Sequence, residues 1–232
     1  MRHTIDETRA LLLDTGLRLL KERGLFVGVT HVRLSEVVAE AGMTTGAAYR
    51  CWDDQEAFHR DLALAAVRFR DHGSIDATVQ RIRSLVDDHA PLAEVLRTGA
   101  EANLHRYPED AGFLITIPLR MTSPTDPELA QASSERHHEA MTSFASLYDA
   151  LLGVYGRRMR APRTTMHLAE TLGALSEGFA IQMLSGETHP HVRREDIGED
   201  VGSDWTLLGL AVEAIVERYT EPIDSTGSAA VP

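Results

Sequence analysis

The strongest constraint in this chain is a pair of short apolar-periodic segments in residues 34–50, neither long enough to be a stable helix by itself. In the first, RLSEVVAEAG, Leu34, Val37, Val38 and Ala41 recur at helical spacing and Gly42 stops the run. In the second, TTGAAYRCW, Thr44 stands where a helix cap belongs. Two such helices joined through Ala41-Gly42-Met43 must pack at a steep angle and against a third element, the arrangement of a helix-turn-helix. There the first helix crosses the sugar-phosphate backbone and the second enters the major groove N-terminus first. Thr44, Thr45, Gly46 and Ala47 are small enough for close approach to DNA. Tyr49 can reach a phosphate, and Arg50 a phosphate or a guanine edge.

The flanking segments supply the support. Leu13, Leu17 and Leu20 mark one face of a first helix ended by Gly24, with Lys21 and Arg23 in its last turn. The loop after it carries Val27, Val29 and Val32, but its two glycines argue against a strand. Asp53, with Glu56 three residues on, reads as a capping box opening a helix with Ala57, Phe58, Leu62, Ala65 and Phe69 as its apolar stripe. Trp52 reads as a core anchor.

Over residues 9–60 the order LLLDTGLRLLKERG, LSEVVAEAGMTTGAAYRCW, DDQEAF resembles the N-terminal domain of the tetracycline-repressor (TetR) family. Glu22-Arg23-Gly24, Ala41-Gly42, Tyr49 and Trp52 stand at that family's characteristic places. The chain departs from it at Arg33, where a capping Ser or Thr is common, at Cys51, where His is common, and at Gln55, where a phosphate-contacting Lys is common. The resemblance implies DNA contact from Arg33, Ser35, Thr44, Thr45, Gly46, Ala47, Tyr49, Arg50 and Gln55. It implies a double-stranded operator, a homodimer, and repression relieved by a small-molecule effector.

Beyond residue 73 the pattern stays helical, punctuated by Pro91, Pro108, Pro124, Pro127 and Pro162. Asp126-Pro127-Glu128 is a helix start, and that helix is expected to run to about Tyr155. Two apolar helices are expected at 163–185 and 203–219, around an acidic loop, with a disordered tail from 221 to 232. The fold expected is all-α: a three-helix DNA-binding domain over 1–55 and a helical dimerisation and ligand-binding domain over 56–220. The resemblance assigns the closing helices to a dimer interface, and their stripes supply Leu172, Leu175 and Phe179 and then Leu207, Leu210 and Ala214. Candidate effector-pocket residues are Phe113, Met121, Phe144, Tyr148, Met166, Phe179 and Met183, although apolar residues at this spacing are more often plain core, with His105, Tyr107 and Arg120 as candidate polar contacts.

A net charge of −12 opposes a nucleic-acid partner, but it is unevenly placed. Residues 1–60 hold eight basic and nine acidic residues, leaving the acidic excess to the rest of the chain. A single cysteine, no secretory leader and no apolar run of membrane-spanning length point to the cytoplasm. No cofactor or metal is expected. Two Glu-x-x-His pairs, Glu56/His59 and Glu135/His138, with Glu101 and Glu170, would be the ligands of the rival reading, a di-iron helical enzyme. A second rival is a regulator-like ligand- or protein-binding protein without operator binding.

Overall fold

The computed structural model describes residues 4–23, 28–69, 73–107, 110–122, 126–199 and 201–223. Ten helices and four three-residue strands are found among them, in accord with the all-helical class expected. They form two compact units, residues 1–71 with 110–137 and residues 72–109 with 138–232.

In the first unit, α1 (Ile5–Arg23) buries Leu12, Leu19 and Leu20. Gly16 on that helix permits a close approach to α4 (Gln55–Arg68), since a Cβ there would stand 3.0 Å from Leu62 Cδ1. Helices α2 (Leu34–Glu40) and α3 (Thr45–Ala48) pack on α1, with Leu34, Val37, Val38 and Ala48 buried in one cluster with Leu12, Leu20, Phe58 and Leu62. Gly24 and Val27 lie outside the described residues; Val29 and Val32 are buried, and the Val32 N–H donates to Val29 O.

Helix α4 begins one residue later than its capping signal suggested. Asp54 is the cap, its side chain accepting from Ala57 N–H at 2.8 Å, while Glu56 is exposed in the first turn. Its buried face is also wider than the expected stripe, taking in Ala63, Leu64, Ala66 and Val67, because α7 (Ala111–Thr122) packs on it as well as α1. A domain boundary at 55/56 would part α4 from this core, to which Phe58 and Leu62 contribute fully buried side chains. Helix α8 (Pro127–Val154) starts as its signal predicts, with Asp126 Oδ1 accepting from Glu128 and Leu129 N–H.

The second unit holds α5 (Gly73–Asp87), α6 (Leu92–Arg106), the latter part of α8, α9 (Thr165–Leu184) and α10 (Leu207–Tyr219). Its core joins Leu96, Leu104, Leu168, Leu172, Leu208 and Val212. Two small antiparallel sheets were not foreseen. Strand β1 (Arg157–Met159) pairs with β4 (Thr220–Pro222), and β2 (His191–Arg193) with β3 (Asp204–Thr206).

These strands correct two boundaries. Glu221 and Pro222, assigned from sequence to a disordered tail, lie in β4, and Ile223 N–H donates to Gly156 O; residues 224–232 are outside the described set. The last helix begins at Leu207 rather than 203, with Thr206 capping Gly209 N–H at 3.0 Å. The acidic loop before it is anchored: Arg194 pairs with Asp196 and Glu213 and lies over the buried Trp205 ring. Charge pairing and ring contact hold a segment that composition alone presents as a solvated loop.

Candidate functional site

Helix α2 ends in a left-handed turn that sets the direction of α3. Gly42 has φ +64°, Met43 N–H donates to Val38 O at 2.9 Å, and Gly42 N–H donates to Ala39 O at 3.1 Å. This pair of bonds is a Schellman motif, and half-buried Met43 adds the apolar contact that usually accompanies it. No atom lies within 4 Å of the place a Gly42 Cβ would take, so glycine is needed for its φ and not for space.

The start of α2 is held from a distance. Arg33, at the cap position, makes no side-chain capping bond. Instead Gln55 Oε1 accepts from Leu34 N–H at 2.9 Å, and Gln55 Nε2 donates to Val32 O at 3.2 Å. Gln55, predicted as a DNA contact, therefore has both ends of its amide engaged within the domain. Thr44 also departs from expectation: it makes no capping bond through its hydroxyl, and its carbonyl accepts from Ala47 N–H.

The remaining predicted DNA contacts divide by exposure. Arg33, Ser35, Thr44, Thr45, Gly46, Tyr49 and Arg50 are exposed, Tyr49 to 58%. Ala47 is corrected to the buried side, because its position on α3 faces inward beside Ala48. Trp52 is core, edge-on to Phe58 at 5.2 Å, with its indole N–H donating to Asp61 at 2.5 Å.

Charges around this surface are mostly paired. Arg18 bonds Glu22 and Glu40, Arg23 bonds Glu36, and Arg9 bonds Asp61. The Arg23 guanidinium holds the Glu36 carboxyl below the usual carboxylate range. Among the described residues Arg33 and Arg50 form no ion pair, which leaves two cations beside α2 and α3 for an anionic partner. Burial pushes the Cys51 thiol up, against the pull of Arg9 and Arg50, so proximity to cations does not activate it.

A second candidate site is a cavity of about 100 Å³ in the other unit, walled by α5, α6, α8, α9 and α10. Of the predicted pocket residues, Phe144 and Tyr148 line it. Tyr107 is buried, its hydroxyl accepting from Asn103 Nδ2 at 3.3 Å, and His105 is exposed, its Nδ1 bonding Glu101 O. Phe113, Arg120 and Met121 belong to α7 in the first unit, and Met121 is 78% exposed. Met166 packs beside Phe144 and Tyr148, Met183 in the main cluster, and Phe179 edge-on to His189 at 4.8 Å. Sequence reading missed Ile82, Asn103, Arg106 and Ser176 among the lining residues. The helical periodicity of α5 and α6 marks which face is buried, and nothing in it distinguishes a packed wall from a hollow one.

On the closing helices, Leu172 is corrected from interface to core: at 4% exposure it is already covered within its own chain. Leu175, Phe179, Leu207 and Leu210 are half-buried and Ala214 is exposed. Ala174, Gly178 and Ile181 form an exposed strip along α9, with Ile181 and Leu184 each 44% exposed, and neither of these two was singled out from sequence.

Among the described residues no group of three His, Cys, Asp or Glu side chains is placed to hold a metal ion. His59 Nε2 lies 2.9 Å from Val32 O, and Glu135 accepts from Gln131 Nε2. No helix among them is long and apolar enough to cross a membrane.

Comparison with known proteins supports this architecture. NemR of E. coli in its reduced form superposes with a TM-score of 0.53 at 15% identity, over 93% of this chain and 98% of that one. A protein from Rhodococcus sp. RHA1 described as a transcriptional regulator gives 0.52 at 16% identity, over 76% and 86%. A TetR-family transcriptional regulator from Cytophaga hutchinsonii gives 0.50 at 14% identity, over 81% and 88%. The chain thus has the all-helical fold seen in TetR-family regulators. No protein-family profile and no curated protein sequence matches it.

Proposed function

We propose that the chain is a DNA-binding transcriptional regulator of the TetR family, acting as a homodimer on a palindromic operator and responding to a small molecule. The observation that carries this reading is the exposed set Thr44, Thr45, Gly46, Tyr49 and Arg50 beyond a glycine turn, with Arg33 and Arg50 unpaired among the described residues. A helix presented in this way suits the major groove: small side chains allow close approach, Tyr49 and Arg50 reach phosphate or base edges, and Arg33 adds a phosphate contact. Two such surfaces in a dimer would address half-sites ~34–36 Å apart. The exposed strip Ala174, Gly178 and Ile181 with Leu207, Leu210 and Ala214 is the proposed dimer face, since small residues let helices approach closely. Repression follows if the bound dimer blocks polymerase, and an effector acts only insofar as it binds one spacing of the two DNA-reading surfaces better than the other.

The test is fluorescence anisotropy of the purified protein with the DNA upstream of its own gene, against unrelated DNA, across a salt series. Saturable preference for the upstream DNA that weakens as salt rises supports the reading. A second reading, a helical ligand- or protein-binding relative without operator binding, is favoured by the internal use of Gln55 and the net charge of −12. Failure of a genome-wide random-fragment selection as well would decide for it.

A further inference from the structure

We infer that the cavity between α5, α6, α8, α9 and α10 takes an uncharged molecule of single-ring size that carries one hydrogen-bond-accepting oxygen. This deepens the ligand-responsive reading, although the binding it describes does not depend on DNA. Size is the first argument. At about 100 Å³ the space is somewhat smaller than an apolar cavity of about 150 Å³ that admits benzene, so one ring with modest side-chain give is the natural occupant.

Lining chemistry is the second argument. Val95, Leu96, Leu151, Leu172 and Val212 give it a hydrocarbon wall, and Phe144 and Tyr148 form a near-parallel ring pair at 6.3 Å and 22°. A flat ring can lie against such a wall with little lost space.

Charge and hydrogen bonding supply the third. No carboxylate is among the described lining residues, so a cation would enter without a counter-charge. Among the described lining residues Arg106 is the one cation, and it is engaged: it donates to Asn103 Oδ1 at 3.0 Å and lies over the Tyr107 ring at 5.0 Å. Transfer of an anion from water into this wall would therefore lack a free partner. Tyr148 differs. Its hydroxyl makes no hydrogen bond within the described residues, and burial together with the Tyr107 phenol keeps it protonated well above the ordinary phenol range. It is a donor in an apolar space, and a ligand carbonyl or hydroxyl oxygen would satisfy it.

The test is titration calorimetry of the full chain with acetophenone, ethylbenzene, benzoate and benzylamine, four single-ring probes of similar size. The inference expects saturable acetophenone binding, ethylbenzene about five- to tenfold weaker for want of the oxygen, and both ions weaker still. In Tyr148→Phe, acetophenone should fall to the ethylbenzene level while ethylbenzene is unchanged. In Gly99→Val, whose new side chain grows from a site where a Cβ already stands 3.3 Å from Ile82, both should be lost. An ion that binds as tightly as acetophenone, an acetophenone affinity indifferent to Tyr148→Phe, or no acetophenone binding at all would overturn it. Acetophenone binding by a protein with no operator preference would retain this inference and remove the regulator reading; operator binding without acetophenone binding would do the reverse.

Discussion

Gln55, the first residue of α4, caps α2 by accepting the Leu34 N–H at 2.9 Å across 21 positions of sequence. The residue in the ordinary cap position, Arg33, contributes no such bond, and so the two departures from the family pattern at 33 and 55 are one structural device. Arg33 is left exposed, and the helix start is satisfied from a neighbouring helix.

Removal of this clasp should therefore be felt as a lost helix cap. Gln55→Ala is expected to reduce stability by about 1–2 kcal/mol, read as a lower urea midpoint at unchanged m-value. Gln55→Lys should lose the cap likewise but add a cation near α2. Its DNA affinity should gain about one unit of salt slope, so stability and binding should move in opposite directions.

Arg50 has a narrower role. It is exposed and unpaired among the described residues, so Arg50→Ala should leave urea unfolding within ~0.5 kcal/mol of the parent. Operator binding should weaken by about 1–3 kcal/mol with the dimer intact by light scattering. Unchanged anisotropy would take Arg50 off the DNA-facing surface.

Glu94 should make the second unit acid-sensitive. Arg97 forks onto it at 2.6 and 2.9 Å, and Gly202 N–H donates to it at 2.9 Å. The Arg97 bonds hold the Glu94 carboxyl below its usual range, against the opposing effect of burial. Because the folded value is depressed, this contribution is complete above the unfolded pKa of about 4.3 and is lost as pH falls through the folded value. Glu94→Gln should cost about 2 kcal/mol at pH 7 and less near pH 3, measured by urea unfolding at both. Equal losses at the two pH values would show that the carboxylate charge is not what matters.

Ile181 tests the proposed dimer face. It is 44% exposed on α9, in line with Ala174 and Gly178. Ile181→Glu should yield a monomer by sedimentation while circular dichroism stays helical, and operator affinity should fall because one recognition surface cannot span two half-sites. A dimer that persists would move the interface elsewhere.

The extent to which sequence revealed this molecule varied with the range of the interaction. The steep turn at Ala41-Gly42-Met43 was legible because a left-handed φ and a broken helical period are properties of neighbouring residues. Trp52 in the core and Asp126 at the start of α8 were legible for the same reason. Ala47 was misplaced because a four-residue helix presents too little period to separate inward from outward, and the packing of Ala47 and Ala48 decided it.

The remainder depended on partners distant in sequence. Leu172 and Leu175 share one helical stripe, yet only the neighbours supplied by α6 and α10 make the former core and leave the latter half-buried. The strands β1 to β4 are three residues each and exist only through pairing. The cavity beside Tyr148 is set by side chains of five helices, and its hollowness is a property of their joint packing. Sequence by itself determined the helical class, the glycine turn and the short helices it joins, since these rest on local backbone preference and apolar period. Tertiary structure alone decided which side chains stayed free to act, because Gln55 has its amide engaged and Leu172 and Ala47 are buried by contacts that no local pattern encodes.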